Sequence, residues 1–142
     1  MKRMVKLCSV FGIALVMAGC GASKPQTMKL ALDSNPTTGY SWTVTQDPEL
    51  FRIDEEYQEN AHDENMVGVG GQQIYTLTPE TAGTTELTFT YSRPWEETDE
   101  DATVISYTVE VSNSKQIKVT SSRFAGGDDI NSLPQIPEPE IK

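Results

Sequence analysis

The sequence predicts an all-β fold, a two-sheet antiparallel β-sandwich of immunoglobulin-like type, with a small barrel as the second architecture. Three observations carry this reading. Short runs alternate apolar and polar side chains at the two-residue period of a half-buried strand. Proline, glycine and asparagine turn signals separate the runs at short spacing. No window shows apolar residues at i, i+3 and i+4 bounded by helix caps.

The strands are expected over Met28–Asp33, Tyr40–Gln46, Leu50–Glu56, Gln73–Thr78, Thr84–Tyr91 and Thr103–Val111. In the fifth run Thr85, Leu87, Phe89 and Tyr91 share one face; in the sixth, Ile105, Tyr107, Val109 and Val111 do. Turns are signalled at Asp47-Pro48, at Pro79-Glu80-Thr81-Ala82-Gly83 and at Asn113-Ser114. Gln116-Ile117-Lys118-Val119 suits a short additional edge strand. From Ser121 onward periodicity is lost and prolines recur, so residues 121–142 are expected as an acidic, proline-containing disordered tail.

The other end reads as a targeting segment. Lys2, Arg3 and Lys6 form a basic region, and Leu7–Val16 is an apolar stretch short for a bilayer span. Val16-Met17-Ala18-Gly19-Cys20 resembles a bacterial lipobox, in which the cysteine becomes the lipidated first residue. An ordinary secretory cut near Ala18 is the alternative. The expected organisation is a signal at 1–19, a polar tether at 20–26, one domain at 27–120 and the tail. Cys8 leaves with the signal and Cys20 carries the lipid, so the mature domain has no disulfide and rests on a packed core. Loss of the three signal cations takes the formal charge from −10 to −13. Such acidity argues against nucleic acid and against charge-driven adhesion to an anionic membrane.

Little in the chain suggests catalysis. His62 is the sole histidine and stands among polar loop residues, with no thiol available to it. Ordered His/Cys spacing for zinc is missing, and the acidic stretches Asp54–Glu64 and Glu96–Asp101 lack the pattern that wraps calcium. They read as solvated loop charge. Gly68-Val69-Gly70-Gly71 lacks the Lys-Ser/Thr of a phosphate loop. No metal or cofactor is expected.

Three loops remain. Asn35-Pro36-Thr37-Thr38-Gly39, leading into Tyr40, combines a fixed proline φ with a glycine free to take positive φ, so it has little freedom to lose on docking. Gly68, Gly70 and Gly71 allow close backbone approach. In Arg93-Pro94-Trp95 the proline opposes a central strand, which places Trp95 in a loop, exposed or partly so. Arg and Trp are enriched at interface hot spots; the blander alternative, a cation–π or packing pair stabilising the loop, is compatible with binding.

Asn-Pro-Thr-Thr-Gly, Gly-x-Gly-Gly and Arg-Pro-Trp, in that order and between strands, resemble the chagasin family of cysteine-peptidase inhibitors over Met28–Ser112. The resemblance implies an immunoglobulin-like sandwich with the three loops side by side, and reversible blockade of a papain-like catalytic cleft. It assigns Asn35–Gly39 as the central wedge, with Thr37 and Thr38 nearest the enzyme's cysteine and histidine. Gly68–Gly71 would lie along one side through backbone contacts, and Arg93 and Trp95 along the other. The expected partner is thus a papain-like peptidase, met by a monomer held to the bacterial cell envelope through Cys20. The alternative is a lipid-anchored envelope-binding module that inhibits nothing; an enzyme using the carboxylate-rich loops ranks below both.

Overall fold

The computed structural model describes residues 24–96, 102–126 and 136–142. The signal, Cys20, the segment Glu97–Asp101 and residues 127–135 lie outside the described residues. Among the described residues eight strands form: β1 (Met28–Ser34), β2 (Ser41–Asp47), β3 (Phe51–Glu59), β4 (Gly71–Pro79), β5 (Gly83–Ser92), β6 (Thr103–Val111), β7 (Ile117–Ala125) and β8 (Glu140–Ile141). They make two four-stranded sheets, β3-β4-β1-β8 and β2-β5-β6-β7, in which every pairing is antiparallel. This is the immunoglobulin-like β-sandwich that the sequence predicts.

Period-two burial explains the layering. In β1, Met28, Leu30, Leu32 and Ser34 point inward while the residues between them face solvent. Thr85, Leu87 and Phe89 of β5 and Ile105, Tyr107, Val109 and Val111 of β6 supply much of the opposite wall. Fully burying an aliphatic side chain of this kind contributes about 1.5–3 kcal/mol, so stability without a disulfide is accounted for by packing. Phe89 stands edge-on to both Tyr75 and Tyr107, with centroids 5.1 and 6.0 Å away.

The two buried tyrosines differ in one respect. The Tyr107 hydroxyl donates to the Pro137 carbonyl at 2.6 Å, whereas the Tyr75 hydroxyl has no hydrogen-bond partner among the described residues. Leaving a buried hydroxyl unpaired costs about 1–3 kcal/mol. Tyr75→Phe is therefore expected to stabilise the domain by about 1 kcal/mol and Tyr107→Phe to destabilise it by a similar amount, read from urea unfolding midpoints. Burial pushes both phenols up to about 12, with the charge of Glu55 adding to the effect at Tyr75. A phenolate is the disfavoured form in the fold. The stabilisation is thus complete below the unfolded pKa near 10 and is lost as pH rises through about 12.

The tail departs from expectation. Residues 121–125 continue β7 against β6, from Thr108↔Ser121 to Val104↔Ala125, and Glu140–Ile141 adds a strand to β1. β7 is an edge strand exposed over most of its length, so Lys118–Arg123 can stay mostly polar without leaving the sheet. The prolines do no harm because Pro137 and Pro139 precede the two-residue ladder, where no amide donor is required of them. Residues 121–125 and 140–141 are thus paired within the two sheets, outside the 27–120 limits.

Candidate functional site

Strand direction brings three loops to one end of the sandwich. β1 ends and β2 begins there; so do β3 and β4, and β5 and β6, which gathers residues 35–40, 60–70 and, of the third connection, 93–96.

Asn35 is the hub of the first loop. Its side-chain oxygen accepts from the Thr37 amide at 3.2 Å and the Thr37 hydroxyl at 2.6 Å, capping a single 3-10 turn, Pro36–Thr38. The Thr38 hydroxyl donates to the Asn35 carbonyl at 2.7 Å, and Gly39 closes the turn at φ 84°. Both threonine hydroxyls thus spend their protons inside the loop, leaving methyl groups and oxygen lone pairs for a partner. Pro36, with its fixed φ, and these internal hydrogen bonds hold the turn's shape.

Asn35 also joins the loops. Its amide donates to the Tyr91 hydroxyl at 3.0 Å and its side-chain nitrogen to the Gly68 carbonyl at 3.3 Å. The Trp95 ring lies on Gly39: a Cβ there would fall 3.0 Å from one ring carbon and nearer still to another. Beneath them runs an aromatic stack. Tyr91 lies 4.9 Å from Trp42 and 5.3 Å from Tyr40, and the Arg93 guanidinium sits 4.6 Å from the Tyr40 ring centroid. Arg93 also pairs with Glu96 at 3.2 Å, and the Trp42 indole donates to the Asp33 carbonyl at 2.9 Å.

Each residue singled out in the sequence can now be placed. Pro36, Thr37, Thr38 and Gly68 are exposed, and Asn35, Gly39, Tyr40 and Gly70 are half-buried at the joints between loops. Pro94 and Trp95 stand out in solvent, Trp95 with 67% of its surface exposed. Arg93 is drawn inward over Tyr40, so its packing role is realised. Gly71 differs: it is buried in β4, where a Cβ would stand 2.7 Å from the Tyr57 hydroxyl and closer still to the Gln58 carbonyl. Its missing side chain leaves room for the Gln58 carbonyl and the Tyr57 ring of β3.

Sequence reasoning passed over Met66 and Val67. They are 58% and 97% exposed, directly before Gly68. With Trp95 they make three of the four large exposed apolar side chains among the described residues, and they flank the Asn35 turn. Gly68, which follows them, bonds to the Asn35 side chain through its carbonyl, so the pair borders the turn. The available signal was an apolar pair standing in an otherwise polar loop and beside glycines. In this loop the His62 ring nitrogen Nδ1 lies 3.0 Å from the Asn60 carbonyl and 3.5 Å from the Glu59 carboxylate. No group of three or more metal-ligating side chains occurs among the described residues.

Residues 22–124, well over half of the chain, match the model of the chagasin family of peptidase inhibitors, I42. The chain belongs to the chagasin family. Among its relatives are amoebiasin-2 of Entamoeba histolytica, 32% identical over 58% of this chain and 68% of its own length, and chagasin of Trypanosoma cruzi, 30% identical over 49% and 67%. The crystal structure of a cysteine protease inhibitor from Entamoeba histolytica, EhICP2, aligns with a TM-score of 0.46 and 32% identity over 51% of this chain and 67% of that one. The family is one of peptidase inhibitors and not of enzymes, and EhICP2 is described as a cysteine protease inhibitor.

Proposed function

We propose that this protein inhibits papain-like cysteine peptidases reversibly, by filling the catalytic cleft with three loops. The observation that carries the reading is the coupling of those loops. Asn35 bonds to both Gly68 and Tyr91, and Trp95 lies on Gly39, so wedge and flanks form one preorganised unit. A unit ordered before binding loses little entropy on docking, which favours affinity.

In this reading the Pro36–Thr38 turn enters the cleft. Met66, Val67 and the Gly68–Gly70 backbone lie along one side, and Pro94 and Trp95 along the other. Arg93 and Tyr40 hold Trp95's loop from below. Thr37 and Thr38 have no base and donate inward, so no bond to the enzyme forms and the block is steric. The turn's internal hydrogen bonds also keep its backbone from being drawn out as an extended substrate.

Export and lipidation at Cys20 complete the proposal, placing the inhibitor on a bacterial envelope membrane. The deciding experiment is titration of the mature chain against papain with a fluorogenic peptide substrate. Tight competitive inhibition that reverses on dilution is expected. Papain and several related peptidases left fully active would remove the inhibitory reading and leave an envelope-binding sandwich.

A further inference from the structure

We infer that the end of the sandwich opposite the loops is a membrane-facing base, against which the N-terminal segment is clamped so that the inhibitory loops point away from the lipid. The inference rests on the lipid anchor at Cys20 proposed above, and it adds a fixed orientation.

The sequence suggests a free polar tether up to residue 26, but the structure ties its last residues down. The Gln116 side chain donates to the Lys24 carbonyl at 2.7 Å, and the Ile117 amide donates to the Gln26 side chain at 2.8 Å. The Gln26 amide donates to the Lys115 carbonyl at 3.0 Å. Thr27 and Lys142 exchange two backbone bonds of 2.8 and 3.1 Å, so the C-terminal strand closes over the same segment. Residues 24–27, Lys142 and the 112–116 turn are thereby bound together at one pole.

Reach then limits the geometry. Only Gly21–Ser23 stand between Cys20 and the clamped Lys24. At about 3.3–3.6 Å per residue the attachment point lies within roughly 14 Å of the base. The loops stand at the far ends of β6 and its neighbours, nine residues long, about 30 Å away at strand rise. A short leash on a clamped pole keeps the base beside the lipid, while the tilt of the loop end, a strand length away, is set by what the flanks present to the headgroups.

Charge points the same way. All five lysines of the described residues, Lys24, Lys29, Lys115, Lys118 and Lys142, lie at the base. They partly offset Asp47, Glu49, Glu80, Glu110, Glu138 and Glu140 at that end, while Glu55, Glu56, Glu59, Asp63 and Glu64 leave one flank acidic. Lying down would bring those acids within a Debye length, about 8–10 Å, of anionic headgroups. Standing upright keeps them beyond it. The inhibitor would therefore meet peptidases free in the aqueous compartment, with its loops unobstructed by the bilayer.

The test uses the mature chain Cys20–Lys142, which contains every described residue and has Cys20 as its sole cysteine. Cys20 is coupled to a maleimide lipid in phosphatidylcholine vesicles containing phosphatidylglycerol. A fluorescent amino acid is placed at Asn113 in the base turn or at Asn65 in the 60–70 loop, with an acceptor on the lipid headgroups. Energy transfer from 113 should exceed that from 65 at least roughly twofold, given the strand-length separation, and papain should be inhibited as well on vesicles as in solution. Loosening the clamp with Gln26→Ala and Gln116→Ala should bring the two transfer values together. Equal or reversed transfer in the unaltered chain would overturn the orientation. Because the lipid is attached chemically, that result is independent of cellular lipidation, which is tested separately by whether Cys20→Ala releases the full-length protein from membranes.

Discussion

Trp95→Ala is expected to weaken inhibition of papain by about 2–4 kcal/mol, roughly thirty- to a thousandfold in the inhibition constant. Two losses combine in that figure. The exposed indole is the largest apolar surface at the loop end and is the residue type that most often dominates an interface. It also covers Gly39, so its removal frees the turn beside it. Gly39→Ala should reach the same machinery from the other side. A Cβ there meets the indole, and φ 84° strains any residue with a side chain. A loss of at least about 1.4 kcal/mol, tenfold in affinity, is expected. The two substitutions should not add, since much of what Gly39→Ala costs is displacement of Trp95. In a Trp95→Ala background the second change should cost only the backbone strain, about 1 kcal/mol. Full additivity in a double-mutant cycle would mean that the two loops act independently, against the coupled-unit reading.

Much of this architecture was legible because the strands alternate cleanly. Leu87 and Phe89, or Tyr107 and Val109, declare both strand and face by period alone, and the core contains them as expected. Proline before Trp95 likewise sufficed to place that ring in solvent. What the period does not encode was harder to read. Edge strands lose the alternation when both faces are wet, which hid the second half of β7. β8 is only two residues long and follows a proline run, and it exists because β1 offers an open edge and Thr27 a bonding partner. The pattern cannot report such tertiary capture. Nor could it show Asn35 binding two other loops, since those partners lie thirty-three and fifty-six residues away in sequence. Met66 and Val67 were visible as apolar residues, but their exposure depends on where the loop ends up.

Gly71→Ala is expected to cost the fold itself about 3 kcal/mol or more, with a fall in Tm of roughly 10–20 °C. The position looks like a member of a flexible glycine loop, yet it pairs with both Glu59 and Ser34 as the first residue of β4. A methyl group there would meet the Gln58 carbonyl and the Tyr57 hydroxyl. The backbone carbonyl belongs to the β3 strand and cannot swing aside as a flexible side chain would, so the β3–β4 ladder must open at this end. Gly68→Ala is the informative contrast. Its φ of 75° imposes strain, but the nearest atom to a new Cβ is the Thr37 side-chain oxygen at 3.7 Å, ordinary contact. That change should lower stability by only about 1 kcal/mol. The two glycines thus separate by mechanism: Gly71 by lack of room, Gly68 by backbone conformation. Thermal unfolding of both variants followed by circular dichroism decides the matter. A Gly71→Ala protein as stable as Gly68→Ala would mean that the β3–β4 pair has slack at this end, and the 60–70 loop would then lack the fixed base on which the coupled site depends.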